Sequence, residues 1–352
     1  MIRMKARAPT RRVLTLGLPT LWGSVAITYK LACPLAQQTG LGARFVTSAV
    51  FFAVGTGLVI HVRRTLLREL RQLRRVAGVA QSVLLRPPPP RLDGLGLAAA
   101  QFSADRGAAV GGDLYEAVST EFGVRVVMGD VRGHGLAVLG TVAAVLGSFR
   151  EAAHDERELP EVLRRLERAL ARHLRERARA EHPSSGLDPG DPVAEEFVTV
   201  LLLEIHPDGA VHAVNCGHPW PYLVGTGGVV PLELAESLPP LGAFPLPPDL
   251  DVAGPSRLSP GECLVLYTDG VEDARDTRGR FFSLPDALTE ATRDHLTAPG
   301  TVLHRVLAAL RRHTGGRPAD DMALLVLRNE RKHPPAVGAS GPARPAVLDP
   351  QP

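Results

Sequence analysis

Residues 124–135 read VRVVMGDVRGHG and begin with a short run of β-branched residues. The run Val124–Met128 predicts a buried strand, and the glycines that follow it predict that the strand ends there. Asp130 lies at this end, between Gly129 and Val131. An aspartate at a strand end holds a short side chain on a fixed backbone, and a neighbouring glycine lets another group approach closely. This stretch therefore predicts a β-rich fold that presents a carboxylate at a strand end.

Other short apolar runs bounded by turn residues predict further strands. These runs are Leu95–Phe102, Phe197–Ile205, Val211–Asn215, Tyr222–Val224, Cys263–Thr268 and Met322–Leu327. Helical spacing of apolar residues predicts helices at about 135–153, 160–180, 285–296 and 300–313. Several strands follow one another through tight turns such as Pro207-Asp208-Gly209. This order favours an α+β sandwich over a doubly wound parallel sheet.

The charge of the chain is divided unevenly along its length. The 352 residues carry a net charge of only +3, but residues 1–90 hold 14 Lys and Arg against one acid, a balance of +13. Residues 91–352 hold 26 basic and 36 acidic residues, a balance of −10. A hydrophobic content of 45% excludes a wholly disordered chain. The three cysteines have no CxxC spacing, which excludes a disulfide framework and a structural zinc site.

The basic segment predicts a membrane anchor over residues 1–64. Val13–Tyr29 and Phe45–Val62 are runs without Lys, Arg, Asp or Glu, and a spanning helix needs about 20 mainly apolar residues. Arginines concentrate before the first run and after the second, which predicts a helical hairpin (about 13–31 and 43–62) with both ends in the cytoplasm. The cell membrane is then the location, with two spans. The alternative is a signal peptide followed by a buried helix.

Residues 65–90 predict a linker between the anchor and the acidic body. Apolar residues recur every three or four positions over 65–85, which indicates an amphipathic helix with an arginine-rich polar face. This helix could lie on the lipid bilayer, pair with a second copy to form a homodimer, or serve only as a linker. Pro87–Pro90 ends it, so the body occupies 91–328. Residues 182–194 predict a long loop, and 329–352 predict a disordered tail.

Further aspartates share the setting of Asp130. Asp113 follows two glycines, Asp269 follows the run Cys263–Thr268, and Asp320 with Asp321 opens the last predicted strand. Several carboxylates that converged would repel one another unless a cation compensated them. Oxygen ligands without Cys or His partners suit Mg²⁺ or Mn²⁺ rather than Zn²⁺. Each Asp-Gly pair is also ordinary turn chemistry, so the aspartates alone leave both readings open.

Seven motifs together resemble the metal-dependent serine/threonine phosphatases of the PPM family, of the SpoIIE type, over about 84–328. They are VGGDLYE (110–116), GDVRGHG (129–135), FVTVLLLEI (197–205), NCGHPWPYLV (215–224), PPLGAF (239–244), GECLVLYTDGVEDARD (261–276) and ADDMALLVL (319–327). The resemblance implies an α-β-β-α sandwich, in which two packed antiparallel sheets are flanked by helices. It also implies a centre that binds two Mn²⁺ or Mg²⁺ ions.

The resemblance assigns metal ligands to this chain by motif: Asp113, Asp130, the carbonyl of Val131, Asp269 and Asp320, with Asp321 as a neighbour or alternate ligand. It implies that a metal-activated water attacks the phosphorus of phosphoserine or phosphothreonine. The implied protein partner is a phosphorylated anti-anti-sigma protein of the STAS type. Basic residues without interleaved aromatics argue against a nucleic-acid partner.

Two features depart from the family pattern. Glu116 stands where the family usually has Asp, which supports an alternative function as a non-catalytic pseudophosphatase that binds a phosphorylated partner. The arginine that clamps phosphate in related phosphatases has no clear match, and Arg106 and Arg132 are weak candidates. A small-molecule phosphoesterase is a third hypothesis. We expect structural roles for His134 and His218, and core positions for the cysteines at 216 and 263.

Overall fold

The computed structural model of the chain describes residues 22–25, 28–29, 41–102, 111–133, 136–181, 196–250, 252–293, 298–316 and 320–331. The chain forms two compact units, Met1–Val76 and Ala77–Pro352. The predicted loop at 182–194 and the part of the predicted tail beyond Arg331 lie outside the described residues, as does most of the first predicted membrane helix.

Helix α1 runs without interruption from Leu41 to Leu84. It covers the predicted membrane helix at about 43–62 and the predicted linker helix at 65–85, and the residues between them, Arg-Arg-Thr, contain no helix breaker. Among the described residues, only the segment Ser48–Glu69 of α1 is long and apolar enough to cross a membrane, and only 6% of this apolar stretch is buried. On the first predicted run, Trp22 and Tyr29 place their rings 5.1 and 5.6 Å from that of Phe51.

The second unit contains two antiparallel sheets in its described residues. The strands are β1 (Arg91–Leu92), β2 (Leu95–Phe102), β3 (Asp113–Thr120), β4 (Gly123–Val131), β5 (Val198–Ile205), β6 (Ala210–Cys216), β7 (Tyr222–Gly225), β8 (Gly228–Pro231), β9 (Ala253–Arg257), β10 (Cys263–Tyr267) and β11 (Met322–Asn329). Sheet I has the order β1-β2-β11-β10-β7-β8, and sheet II has the order β3-β4-β5-β6-β9. All neighbouring strands pair antiparallel.

Two pairs of helices complete the sandwich. They are α2 (Leu136–Asp155) and α3 (Leu159–Glu181) against sheet II, and α4 (Leu284–Thr292) and α5 (Pro299–His313) against sheet I. Three apolar cores fill the spaces between these layers. Met128 and Leu325 lie in the core between the sheets, Phe149 in the core below α2 and α3, and Leu307 in the core below α4 and α5. This architecture confirms the predicted α-β-β-α sandwich.

Strand β3 escaped the sequence prediction because it is covered on both faces. Leu114 and Val118 pack toward α2 and α3, whereas Tyr115 and Ala117 pack between the sheets. A strand enclosed in this way loses the alternation of apolar and polar residues by which half-buried strands are found. The short strands β1, β8 and β9 were missed as well.

Two predicted boundaries need correction. Strand β11 extends through Asn329, and Arg331 beyond it still donates to the carbonyl of Asp93 at 2.9 Å. The ordered body therefore continues past the predicted boundary at 328. Helix α4 ends at Thr292 rather than near 296, and residues 294–297 lie outside the described part of the chain.

Arg125, near the start of β4, links sheet II to the C-terminal end of α2. Its side chain is fully buried, and its Nε donates to Glu204 Oε2 at 2.6 Å. The guanidinium also donates to the carbonyls of Ala153, Glu156 and Arg157, where α2 ends and the chain turns toward α3. A buried arginine whose donors are satisfied in this way stabilises the packing of the helix on the sheet.

Candidate metal centre

The centre begins with two aspartates on adjacent strands of sheet II. Asp113 opens β3 and lies directly opposite Asp130, near the end of β4. Gly112 precedes this pair, and a Cβ added there would lie 2.2 Å from the carbonyl oxygen of Val131 and 2.6 Å from Asp130 Oδ1. Only glycine fits this position, because any side chain would displace both oxygens. The GGD motif therefore places the two carboxylates and the Val131 carbonyl side by side.

Sheet I brings further aspartates to the same edge. Asp269 follows β10 and opens a short 3-10 turn, and Asp320 with Asp321 precedes β11, the neighbour of β10. A Cβ on Gly111 would lie 2.7 Å from Asp321 Oδ2, and one on Gly270 would lie 2.0 Å from the Asp321 carbonyl oxygen. Gly111 belongs to the segment that enters sheet II, so its approach to Asp321 joins the acids of both sheets.

Burial and mutual repulsion raise the pKa values of these carboxyls. Asp113 is 1% exposed, and burial, with the negative charges of Asp130 and Asp321, raises its pKa well above the ordinary value. Burial, followed by the charges of Asp269 and Asp320, raises the pKa of Asp130 to about 7. Burial is also the main cause that raises the pKa of Asp269. Ionisation of all these acids at once is unfavourable, and a bound cation would stabilise the ionised cluster.

One buried carboxylate oxygen indicates which kind of ligand the centre suits. Asp113 Oδ2 is buried and has no hydrogen-bond partner among the described residues. A buried polar atom without a partner is costly, and a cation would satisfy it. The donors are carboxylate and carbonyl oxygens, which hard divalent cations prefer. In the described residues, however, no three acidic, imidazole or thiol groups lie close enough to hold one ion as they stand.

Asp320 and Asp321 occupy different places in the cluster. Asp320 contributes to the raised pKa values of Asp130 and Asp269, whereas Asp321 contributes to those of Asp113 and Asp130. The main chain of Asp321 also donates to Asp320 Oδ1 at 2.8 Å. The structure thus brings all five predicted aspartates and Val131 to one edge of the sandwich. The choice of Asp320 over Asp321 as the direct ligand stays a prediction.

Glu116 lies on the other face of β3 from Asp113. It is on the side of Leu114, toward α2, and its two carboxylate oxygens accept from Arg150 Nε at 2.9 and 2.8 Å. Another nitrogen of Arg150 donates to the carbonyl of Leu84, the last residue of α1. Glu116 is therefore part of a helix-to-sheet contact, and it gives the pseudophosphatase alternative no structural support.

The remaining sequence candidates have varied placements. The Arg132 guanidinium lies 5.2 Å from the ring centre of Phe197 on the exposed surface next to Val131. Arg106 and His134 lie outside the described residues. Cys216 and Cys263 are fully buried in apolar cores, and burial raises the pKa of their thiols to about 12 and about 11, as expected for core residues.

Residues that the sequence analysis did not select support the aspartates. The Thr268 side chain lies near Asp113, where it partly offsets the raised pKa of that carboxyl, and its hydroxyl accepts from the main chain of Ala323 at 2.8 Å. Thr199, directly opposite Asp130, accepts the Asp130 N–H at 3.1 Å. Threonine is common in strands, so only the strand register could have identified these two.

The fold and its acidic edge define a PP2C-like phosphatase domain. Residues 120–330 match the family described as stage II sporulation protein E (SpoIIE). The chain belongs to this family, which confirms the resemblance seen in the motifs, and it is homologous to the PPM serine/threonine phosphatases.

Solved structures show the same fold. The RsbU and RsbW domains of Rv1364c from Mycobacterium tuberculosis are 22% identical at a TM-score of 0.52, with 68% of this chain and 61% of that chain covered. The SiaA-PP2C domain of Pseudomonas aeruginosa is 17% identical at a TM-score of 0.55, with 75% and 98% covered. The PP2C phosphatase domain of SpoIIE from Bacillus subtilis, with a fragment of its regulatory domain, is 14% identical at a TM-score of 0.50, with 69% and 64% covered. This chain thus spans about three fifths of the Mycobacterium structure.

Proposed function

We propose that this chain is a membrane-tethered protein serine/threonine phosphatase that depends on two Mn²⁺ or Mg²⁺ ions. The observation that carries the proposal is the meeting of Asp113 and Asp130 from sheet II with Asp269 and Asp321 from sheet I at one edge, with a buried Asp113 oxygen that has no partner. An acidic cluster of this kind in a SpoIIE-family domain fits hard divalent cations.

The proposed ligands are Asp113, Asp130, the Val131 carbonyl, Asp269 and Asp320, with Asp321 as an alternate. When bound, two such ions supply charge neutralisation at the phosphoryl group and a water activated for attack. The chain itself aligns these oxygens through the glycines that precede Asp113 and follow Asp269. The hydroxyls of Thr268 and Thr199 hold the strand ends in place by accepting from the main chains of Ala323 and Asp130. Arg132, exposed beside Val131, is available to attract a phosphorylated substrate.

The proposed substrate is a phosphorylated anti-anti-sigma protein of the STAS type. Its support is family membership, together with the Mycobacterium structure, in which an RsbU domain similar to this chain occurs with an RsbW domain. Removal of the phosphate would allow the partner to sequester an anti-sigma kinase. Ranking this phosphoprotein against nucleotides and other small phosphoesters would separate the proposal from a small-molecule phosphoesterase.

The proposed tether is a two-helix hairpin with both ends in the cytoplasm. The apolar segment Ser48–Glu69 and its exposed surface support one span. Contacts of Trp22 and Tyr29 with Phe51 are compatible with a second helix packed beside it. Pairing of residues 65–85 with a second copy stays a prediction, because most side chains over 70–82 lie outside the described residues.

The test uses the full chain in detergent with p-nitrophenyl phosphate and a phosphorylated STAS protein. We expect hydrolysis of both that requires Mn²⁺ or Mg²⁺, and near-complete loss in Asp130→Asn and Asp269→Asn. Asp208→Asn, in a turn remote from the cluster, is the matched control and should keep wild-type activity. Wild-type protein without metal-dependent hydrolysis, or full activity in the two cluster variants, would refute the proposal.

A further inference from the structure

His218 is held rigidly on the connection that leaves sheet II for sheet I. It is 4% exposed and lies between β6 and β7. The Asn215 side chain makes two hydrogen bonds to the main chain of His218. Its Nδ2 donates to the His218 carbonyl at 2.8 Å, and its Oδ1 accepts the His218 N–H at 2.9 Å. Gly217 before it has φ +66° and packs against Pro240. These contacts fix where the imidazole lies.

The imidazole is linked to the main chain of Asp130 through one hydroxyl. His218 Nδ1 lies 3.0 Å from Thr199 Oγ1, and the same oxygen accepts the Asp130 N–H at 3.1 Å. Burial lowers the pKa of His218 to about 3, so the ring is neutral and one of its nitrogens can accept. The hydroxyl proton has a closer acceptor in Nδ1 than in the Asp130 carbonyl, which lies at 3.5 Å.

The other side of the ring faces sheet I. His218 Nε2 is buried beside the main chain of Tyr267 without reaching standard hydrogen-bond geometry. Tyr267 ends β10, and Asp269 follows two residues later. The imidazole therefore lies between the strand end that carries Asp130 and the strand end that leads to Asp269. No step of the proposed reaction uses this residue.

We infer that Asn215, His218 and Thr199 form a positioning relay that fixes the main chain at Asp130, and with it the Val131 carbonyl, for cation binding. The inference rests on the proposed function. These residues are not catalytic, because they reach the centre only through the Asp130 main chain. The first coordination shell of a metal depends on such outer contacts, and their loss typically weakens metal affinity by about 10- to 100-fold.

Two pairs of variants in the full chain, purified in detergent, test the relay. Thr199→Val removes the hydroxyl at nearly constant volume, and Thr199→Ser keeps it. His218→Leu removes the ring nitrogens, and His218→Asn returns a polar atom near the Nδ1 position. Thr120→Val is the matched control, because its hydroxyl also bonds a main-chain group in sheet II, at the opposite end of β3.

The measurements are Mn²⁺ affinity by calorimetry, the thermal midpoint in EDTA, and kcat and KM for p-nitrophenyl phosphate at saturating Mn²⁺. We expect Thr199→Val and His218→Leu to weaken Mn²⁺ affinity by about 10- to 100-fold. Thr199→Ser and His218→Asn should recover most of it, and Thr120→Val should bind Mn²⁺ as the wild type does. Thr199→Val and Thr120→Val should show similar thermal midpoints, because each loses a hydroxyl that bonds two partners.

Several outcomes overturn the relay. Unchanged Mn²⁺ affinity in Thr199→Val would do so, and so would an equal loss in Thr120→Val, which would mark a general structural effect. If His218→Leu does not fold, Thr199→Val still decides. Wild-type protein that binds Mn²⁺ without hydrolysing phosphoesters would refute only the phosphatase proposal, and the Mn²⁺ affinities would still test the relay. Wild-type protein that binds no Mn²⁺ would overturn both.

Discussion

Replacement of Asp130 by Asn should stabilise the metal-free protein while it destroys the metal centre. Burial and the neighbouring carboxylates raise the pKa of Asp130 from 3.8 to about 7. The folded state therefore binds this proton more tightly than the unfolded state does. The stability that binding of this proton contributes is fully present below pH 3.8, falls as the pH rises, and is lost above about pH 7. At pH 8 the ionised carboxylate is a net cost that the neutral amide removes.

The magnitude follows from the difference between the two pKa values. Each pKa unit corresponds to about 1.4 kcal/mol, so the full penalty at pH 8 is about 4 kcal/mol. Asp130 is only partly buried, and solvent screening reduces the expected gain in Asp130→Asn to about 2.5 kcal/mol. At pH 5 the wild-type carboxyl is largely protonated in the folded state, so the gain should fall to about 1 kcal/mol.

The assay is urea unfolding in EDTA at pH 8 and pH 5, followed by the fluorescence of Trp220. A Trp22→Phe background removes the other tryptophan, which lies in the first compact unit, Met1–Val76. Asp208→Asn is the control: its carboxylate accepts the Ala210 N–H at 2.9 Å, which lowers its pKa, so it should give no gain at either pH. Saturating Mn²⁺ should reverse the order of wild type and Asp130→Asn, because only the wild type binds the ion.

Two results would contradict this reasoning. The first is an Asp130→Asn variant that is no more stable than the wild type at pH 8 in EDTA, which would show that neither burial nor the neighbouring carboxylates penalise the Asp130 charge. Alternatively, the gain could be the same at pH 8 and pH 5, which would show that it does not arise from ionisation.

Four further substitutions test other parts of the structure. Gly112→Ala should abolish measurable Mn²⁺ binding in calorimetry, because its Cβ would lie 2.2 Å from the Val131 carbonyl oxygen. Gly147→Ala is the comparison, because a Cβ on Gly147 in α2 would meet open space. It should raise the free energy of unfolding in urea by up to about 1 kcal/mol. Arg125→Met should lower the free energy of unfolding by about 3–5 kcal/mol, because it leaves the buried Glu204 Oε2 without its arginine partner. Glu116→Asp should leave Mn²⁺ affinity within about threefold of wild type, because outer contacts of a metal act only where they touch its ligands.

Much of the fold follows from local patterns in the sequence. Strands such as Phe197–Ile205 and Cys263–Thr268 are mainly apolar runs, and the structure places strands within one residue of these bounds. Strand β3 does not follow from such a pattern, because both of its faces are covered. The segments predicted as helices at 43–62 and 65–85 form one continuous helix, because a change from apolar to arginine-rich composition does not end a helix.

The candidate site was predictable in its residues but not in its assembly. Motif order identified the aspartates, yet nothing local to Asp130 indicates that Thr199 lies opposite it or that His218 reaches that threonine. These partners are set by strand register and by the packing of two sheets, which depend on contacts far apart in the chain. A histidine after Gly217 therefore looked like an ordinary turn residue.

Glycines carry more of this long-range information than the sequence analysis recognised. Those beside the aspartates were equally compatible with tight turns. In the structure, Gly111, Gly112 and Gly270 instead mark places where main chain or a carboxylate from another strand comes closer than any Cβ would allow. Since Gly111 and Gly270 both approach Asp321, one from each sheet, small residues at these positions are what permits the two sheets to bring their acids to one edge. The aspartates supply the negative charge, and the glycines leave enough space for the aspartates of the two sheets to lie close together.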